Sequence, residues 1–395
     1  MQPRFTGQTS SNLCNQVLQG RIMKIVINAY SARRGGGQTY LTNLLKNIDS
    51  NPRLEVYIFA DESQYIPNHP NIKKIKTNWS TCNPFFRTIW EKFILPIFLK
   101  KIKADVLFCP GGLVNTRVPV GCKIVTMFRN MIPFDIEQRK KYPFGYMRFR
   151  NWLLEKLFLK SMLKADLVIF ISEYAKKVIE NRIPIKLKKT VLIPHGINEE
   201  FKVSDRTNMI RPNQLPKEDY ILYVSLFDVY KNQIEVVQAY NLLKERRKTF
   251  EKLVFVGFND TQYGERVKKE ILRLGLKNDI ILLGNIDYKD LPSIYKFAKI
   301  NIFASECENC PNILLEAMGA GRPLVVSNKP PMPEFGGDSA IYFNPRSPED
   351  LCNKIFTIID KPGELNGLSK KVFERSLLYD WKETSRKTWE ALKSL

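Results

Sequence analysis

Residues 303–326 read Phe303-Ala-Ser-Glu-Cys-Glu-Asn-Cys-Pro-Asn-Ile-Leu-Leu-Glu-Ala-Met-Gly-Ala-Gly-Arg-Pro-Leu-Val-Val326. A buried strand over 300–305 runs into a polar loop. A helix is predicted from near Pro311, because proline is favoured in a first helical turn, and Gly319 and Gly321 mark its stop. Residues 323–327 then read as a second strand, apolar enough to be covered on both sides. Strand, loop, helix and strand in succession are the unit of a parallel sheet flanked by helices, which sets the fold class as α/β.

The same alternation extends in both directions. Upstream, strands are predicted at 24–30, 56–60, 105–109, 123–128, 166–172 and 190–194. A polar break over 198–218, with Ser204, Asp205, Asn208, Pro212, Asn213 and Pro216, reads as a linker. The series restarts at 220–225, 253–257, 280–284, 300–305, 323–327 and 340–343. With 395 residues, 44% of them hydrophobic, the chain can fill two cores. The expected organisation is an extension at 1–22, a first doubly wound domain at 23–200 and a second at 201–376. The last helix, within 377–395, has apolar residues at helical spacing and is expected to return to the first domain. Residues 1–22 lack the apolar core of an export signal and read as disordered, with Met23 an alternative start.

In doubly wound sheets ligands bind outside the carboxyl ends of strands, so both domains should present loops to one cleft. Glu308 falls in the loop before the helix and Glu316 about one turn inside it. Eight residues of helical rise would separate them by on the order of 12 Å, a span that suits a nucleotide sugar. The free amides of Asn312 and Ile313 lie between and favour phosphate or sugar oxygens. The plainer alternative makes both glutamates solvated surface residues.

Here the chain resembles the family-four, or group 1, glycosyltransferases of the GT-B fold, from about residue 23 to the end. The carrying motif is Glu308-x7-Glu316 followed by Ala317-Met318-x-x-Gly321 and Pro323-Leu-Val-Val326. The resemblance implies that Glu308 holds hydroxyls of the transferred sugar and Glu316 the ribose hydroxyls, with Asn309 also at the donor. Lys231, in the exit loop of the strand at 220–225, matches the lysine that binds the diphosphate. Leu226 stands where many members carry an arginine. The loop Gly35-Gly36-Gly37 after the first strand resembles the family's glycine loop beside donor and acceptor. Because Gly35-x-Gly37-x-x ends in Tyr40, it does not complete a dinucleotide fingerprint. Arg129-Asn130 occupies the place of a His-Asp or His-Asn pair and brings Arg129 to the sugar or phosphate. Ile286 falls where backbone groups meet the base, and His195 reads as a hinge residue. Retention of anomeric configuration is also implied.

Composition limits the alternatives. Among seven cysteines, Cys307-x-x-Cys310 has no second pair, and the histidines His69 and His195 are distant, so zinc or disulfide chemistry is not expected. A reducing cytoplasm fits this usage. With no Asp-x-Asp pair, no metal and no cofactor beyond the nucleotide diphosphate sugar substrate are expected. A net charge of +22 attracts anions. It concentrates at 87–103 and 139–164, interleaved with Trp90, Phe93, Phe144, Tyr146, Phe149 and Trp152. This pattern suits an anionic membrane surface, and equally a solvated helix face. With the resemblance, it points to a peripheral enzyme of the inner membrane face with a glycan or lipid-linked acceptor. The rivals are a nucleic-acid binder, which lacks any recognised binding motif, and a silent sugar-binding relative of the enzymes.

Overall fold

The computed structural model describes residues 21–32, 35–77, 79, 83–206, 209–247 and 251–395. Most of the N-terminal extension, and Arg33 and Arg34 of the glycine loop, lie outside them.

The first domain contains strands β1 (Met23–Asn28), β2 (Leu54–Phe59), β3 (Ile72–Lys74), β4 (Val106–Cys109), β5 (Lys123–Phe128), β6 (Leu167–Phe170) and β7 (Thr190–Leu192). Its helices are α1 (Gly36–Lys46), α2 (Pro84–Ile102), α3 (Ile136–Lys141), α4 (Tyr146–Lys164) and α5 (Glu173–Glu180). The second domain contains β8 (Tyr220–Val224), β9 (Lys252–Val256), β10 (Ile280–Leu282), β11 (Ile300–Phe303), β12 (Leu324–Ser327) and β13 (Ile341–Phe343). Its helices are α6 (Gln233–Arg246), α7 (Gln262–Arg273), α8 (Leu291–Phe297), α9 (Asn312–Gly319), α10 (Met332–Gly336), α11 (Pro348–Ile358) and α12 (Pro362–Ser376), and the chain ends in α13 (Trp381–Lys393).

Both sheets are parallel. Their orders are β3-β2-β1-β4-β5-β6-β7 and β10-β9-β8-β11-β12-β13. Each order reverses once, between β1 and β4 and between β8 and β11, and the crevice at such a reversal is where an open α/β sheet takes its ligand. The doubly wound α/β reading thus holds in both halves. The strand β3 was missed because Ile72-Lys73-Lys74 is a short edge strand with one apolar residue. The expected strands also ran past their ends, since loop residues such as Ala29 and Ile171 are as buried as the strands before them.

Each face of the first sheet has its own core. Trp90, Leu95 and Leu99 of α2 pack with Phe158 and Met162 of α4 on one face. On the other face, Tyr40, Leu41 and Leu44 of α1 pack with Trp381, Trp389 and Leu392 of α13. Trp389 Nε1 donates to the Leu44 carbonyl at 3.0 Å, so the last helix closes the first domain although the chain reaches it from the second. Where the two crossing segments meet, a Cβ on Gly196 would stand 2.2 Å from the Trp381 amide nitrogen, a distance only glycine can accept.

The domains are also joined by polar bonds. Glu334 accepts from the amides of Glu173 and Tyr174 at 2.7 and 3.0 Å, at the start of α5. The buried carboxylate of Glu306 takes Lys141 and Gln138 from the first domain and Arg346 from the second. Burial alone would raise the pKa of Glu306; the bonds from Arg346, Lys141 and Gln138 win and hold it near 2.

Candidate functional site

A cleft of about 910 Å³ opens between the domains. Its first-domain wall comes from Gly35, Gly36, Thr39, Asn43 and Lys46 along α1. Its second-domain wall comes from strand ends and their loops, with Ser225, Leu226, Gly257, Phe258, Asn285, Ile286 and Tyr288. Asn312, Ile313 and Glu316 of α9 line it, and Asn198 and Glu200 of the crossing segment complete it. A cavity of this size suits a ligand of nucleotide class.

Two helix starts converge on this space. Helix α1 begins behind Gly35 and α9 behind Pro311, and neither has a side-chain cap. Their first amides therefore remain available to an anion. A Cβ on Gly36 would lie 3.1 Å from Asn312 Nδ2 and 3.2 Å from Arg129 Nη2, so the two helix starts and the guanidinium meet at one point. Loss of water around Arg129 lowers its pKa to about 10, which leaves it charged at neutral pH. Among the described residues no ion pair neutralises it. This corner concentrates positive potential without a metal ligand set, and no group of three or more His, Cys, Asp or Glu side chains that could hold a metal occurs among the described residues.

Glu316 sits deeper, 8% exposed. Burial pushes its pKa up to about 7, the bond from Tyr288 pulls down and nearby Glu200 pushes up. A carboxylate held so unfavourably is a mark of a functional position. His195 Nδ1 lies 2.7 Å from Asn312 Oδ1, and its ring packs between those of Tyr40 and Trp381. Burial and then the Arg129 charge depress its pKa to about 3, so the imidazole stays neutral and orients the Asn312 amide at the start of α9.

Of the residues named from sequence, Gly36, Ile286, Asn312, Ile313 and Glu316 line this cleft, and Arg129 borders it through Gly36. Lys231 and Glu308 form an ion pair beside it, and Ser305 Oγ donates to the same Glu308 oxygen at 2.7 Å. They come together, as the loops after adjacent strands β8 and β11 require, but not on the cavity wall. Two further residues expected at the donor, Asn309 and Gly37, do not line the cleft. Asn309 uses its whole amide as a clasp between domains, accepting from Ser172 Oγ at 2.9 Å and donating to the Phe128 carbonyl at 3.0 Å. Gly37 is buried against the backbone of Ala32, where a Cβ would meet Ala32 Cα at 3.1 Å, so it packs the turn closely. Sequence reading missed Tyr288, whose hydroxyl donates to Glu316 Oε1 at 2.8 Å. It also took no account of the side chain of Asn198. Neither carries periodicity; both follow edge strands, Asn198 after β7 and Tyr288 after β10, a position that gives no sequence signal of its own.

Residues 34–201 match Glycosyltransferase Family 4, and residues 205–375 match Glycosyl transferases group 1. The chain is similar to the serotype-specific mannosyltransferase WbdA of Escherichia coli, 24% identical over 268 residues, which is 67% of this chain and 32% of WbdA. It therefore spans about a third of that relative's length. Among solved structures, sucrose-phosphate synthase from Thermosynechococcus elongatus superposes with a TM-score of 0.73 at 19% identity, covering 94% of this chain and 98% of that one. Anabaena HepE, crystallised with UDP and glucose, gives 0.67 at 18% identity over 94% and 100% of the two chains. At such identities these structures speak for the fold. Two matched halves and two facing Rossmann-like domains lead to one assignment: the chain belongs to the group 1 glycosyltransferases and has the GT-B fold.

Proposed function

We propose that this glycosyltransferase moves a hexose-type sugar from a nucleoside diphosphate sugar to a glycan or lipid-linked glycan, with retention, in the synthesis of a surface polysaccharide. The observation that carries the reading is the convergence of two uncapped helix starts and Arg129 on a cleft with Glu316 in its wall. Further support comes from the relative named as a serotype-specific mannosyltransferase and from the fold neighbour that holds UDP and glucose.

In this reading Glu316 accepts the ribose hydroxyls, backbone groups at Ile286 meet the base, and the diphosphate lies across Gly36 and the first amides of α9. Glu308 takes sugar hydroxyls and shares Lys231 with the diphosphate. The acceptor oxygen attacks the anomeric carbon on the face from which the diphosphate leaves. The bond to the departing phosphate oxygen breaks, and that oxygen receives the acceptor's proton. Lys231, Arg129 and the helix amides stabilise the charge that grows there. Leu226 lines the cleft where a second phosphate cation is usual, which gives Arg129 more of that charge to meet. No metal enters the scheme, so transfer is expected to persist in chelator.

Partners in this scheme are the donor, the acceptor and an anionic membrane surface on the cytoplasmic side, without nucleic acid. Among the described residues no helix is long and apolar enough to cross a membrane. A panel of UDP-, GDP- and other nucleotide sugars, screened by thermal shift and then for transfer, tests the reading. A true donor at a hundredfold excess over its dissociation constant adds about 2.7 kcal/mol to stability. If none of the panel stabilises the protein or is turned over, the reading fails.

A further inference from the structure

A chain of hydrogen bonds crosses the floor of the cleft. Asn43 Nδ2 of α1 donates to Asn198 Oδ1 at 3.0 Å, Asn198 Nδ2 donates to the Tyr288 hydroxyl at 3.1 Å, and Tyr288 donates to Glu316 Oε1 at 2.8 Å. All four side chains line the cavity. The chain thus links the helix behind the glycine loop of one domain to the buried carboxylate of the other. Among the described residues, the hydrogen bond to that carboxylate comes from Tyr288. Burial, and then Glu316 itself, keep the phenol far above its ordinary range, so Tyr288 remains a donor.

We infer that Tyr288 is a positioning residue for donor binding, holding Glu316 ionised and turned so that its free oxygen can receive the ribose hydroxyls. The inference rests on the nucleotide-sugar reading above. A buried carboxylate without a donor takes up a proton, and a protonated carboxyl loses acceptor capacity that two ribose hydroxyls need.

The surroundings leave this role to Tyr288. Glu200, from the turn at 199–201, pushes Glu316 towards its protonated form. On α8, Tyr295 gives its hydroxyl to the Ile313 carbonyl at 3.4 Å, and Lys296 is held by the carbonyls of Val203, Ser204 and Ala320. Arg375 of α12 is engaged with the carbonyls of Phe335 and Glu334, and the Glu334 carboxylate of α10 with the start of α5. None of these supplies Glu316 with a proton donor.

Titration calorimetry with UDP, and with GDP in parallel, from pH 6.5 to 9 tests the inference on wild type, Tyr288→Phe, Glu316→Gln and the double variant. Because the diphosphate itself titrates near pH 6, the readout is the ratio of variant to wild-type affinity at each pH. For a pKa raised by one unit, Tyr288→Phe should weaken binding about fivefold at pH 7, more at pH 6.5, with the ratio closing towards one by pH 9. In the Glu316→Gln background the same change should add nothing. Asn198→Ala should act in the same direction and more weakly. With a donor found by the panel above, KM should rise while kcat at saturation stays within about twofold, since the role is in binding. A ratio that is constant with pH, or an equal loss in the Glu316→Gln background, overturns the inference and leaves the donor reading standing. Wild type binding neither nucleotide at millimolar concentration removes both.

Discussion

The two walls of the cleft are built differently. The second-domain wall is specified by side chains: Tyr288 is bonded to the buried Glu316, Asn312 to the buried His195, and the Lys231–Glu308 pair is locked beside them. The first-domain wall presents backbone at Gly35 and Gly36, with Arg129 behind it, beside the polar face of α1 at Thr39, Asn43 and Lys46, while the outer surface of the same domain carries aromatic residues. A nucleotide is a constant object, and a site for it can be rigid and spelled out in side chains. In the function proposed above the acceptor, which varies from enzyme to enzyme, approaches from the first domain, whose loops, helix amides and surface can vary with it.

The largest way to break this contrast is to remove the side chains that specify the second wall. Lys231→Ala is expected to lower sugar transfer by roughly 10²–10³-fold, the scale of losing one preorganised charged contact at a reacting diphosphate, and Glu316→Ala to lower it mainly through KM by removing the ribose contact. Arg129→Lys, in the first wall, keeps the charge and loses only the fork geometry, and should cost about tenfold. Steady-state transfer with the donor found by thermal shift measures all three. Near-normal kcat/KM in both alanine variants would remove the side-chain account of the second wall.

Much of this wall was legible because its chemistry is local in sequence. Glu308, Asn312, Ile313 and Glu316 share one strand-loop-helix segment, and the proline and glycines that bound the helix are visible in it. The doubly wound α/β class followed from the alternation of apolar runs, the strand order within each sheet is read from the structure, and the return of the last helix is visible in the structure at Trp389 and Leu44. What stayed hidden depends on contacts between distant residues. Tyr288 gains meaning only when the turn at 288–290 is laid against α9, and Asn309 becomes a clasp only because Ser172 and Phe128 arrive from the other domain. A loop asparagine next to a motif glutamate looks like a ligand contact in one dimension; in three it satisfies a carbonyl at the domain joint.

A second test sharpens the same contrast through stability. The folded-state pKa of Glu316, about 7, lies above its ordinary 4.5, so the folded protein holds a proton that the unfolded chain has released. Below pH 4.5 both states are protonated and nothing is lost. Between pH 4.5 and 7 the unfolded state binds fewer protons than the folded one, so this group's contribution falls as pH rises, by on the order of 3 kcal/mol in total. Glu316→Gln has no such proton. In the absence of ligand it should be about as stable as wild type at pH 5 and more stable at pH 8, by denaturant midpoint, while losing nucleotide binding. A difference between the two proteins that does not grow with pH would mean that the buried carboxylate carries no strain. The first-domain wall has no equivalent, because the pKa of His195 is depressed to about 3. Its contribution is full above the unfolded value and fades only as pH falls from about 6.5 towards 3.

The smallest expected effects belong to the first domain's outer surface. Helices α2 and α4 cover the same sheet face, and each is apolar on both sides: Trp90 and Phe158 point into the core, while Phe93, Ile97, Phe149 and Trp152 are exposed. Exposed Lys92, Lys100, Arg150, Lys156 and Lys160 surround them. Exposed apolar residues ringed by basic charge are the pattern expected of a surface that meets anionic lipid, which is the partner proposed above. Each such cation contributes about 1 kcal/mol near an anionic surface, so Lys156→Ala should weaken sedimentation with phosphatidylserine vesicles about fivefold at low salt. Phe149→Ser with Trp152→Ser should weaken it further, and raising the salt should release the wild type. Transfer to a soluble acceptor should be unchanged in all of these, since none of the residues lines the cleft. Wild-type protein that ignores anionic vesicles but binds duplex DNA at the same salt would instead assign the surface to nucleic acid.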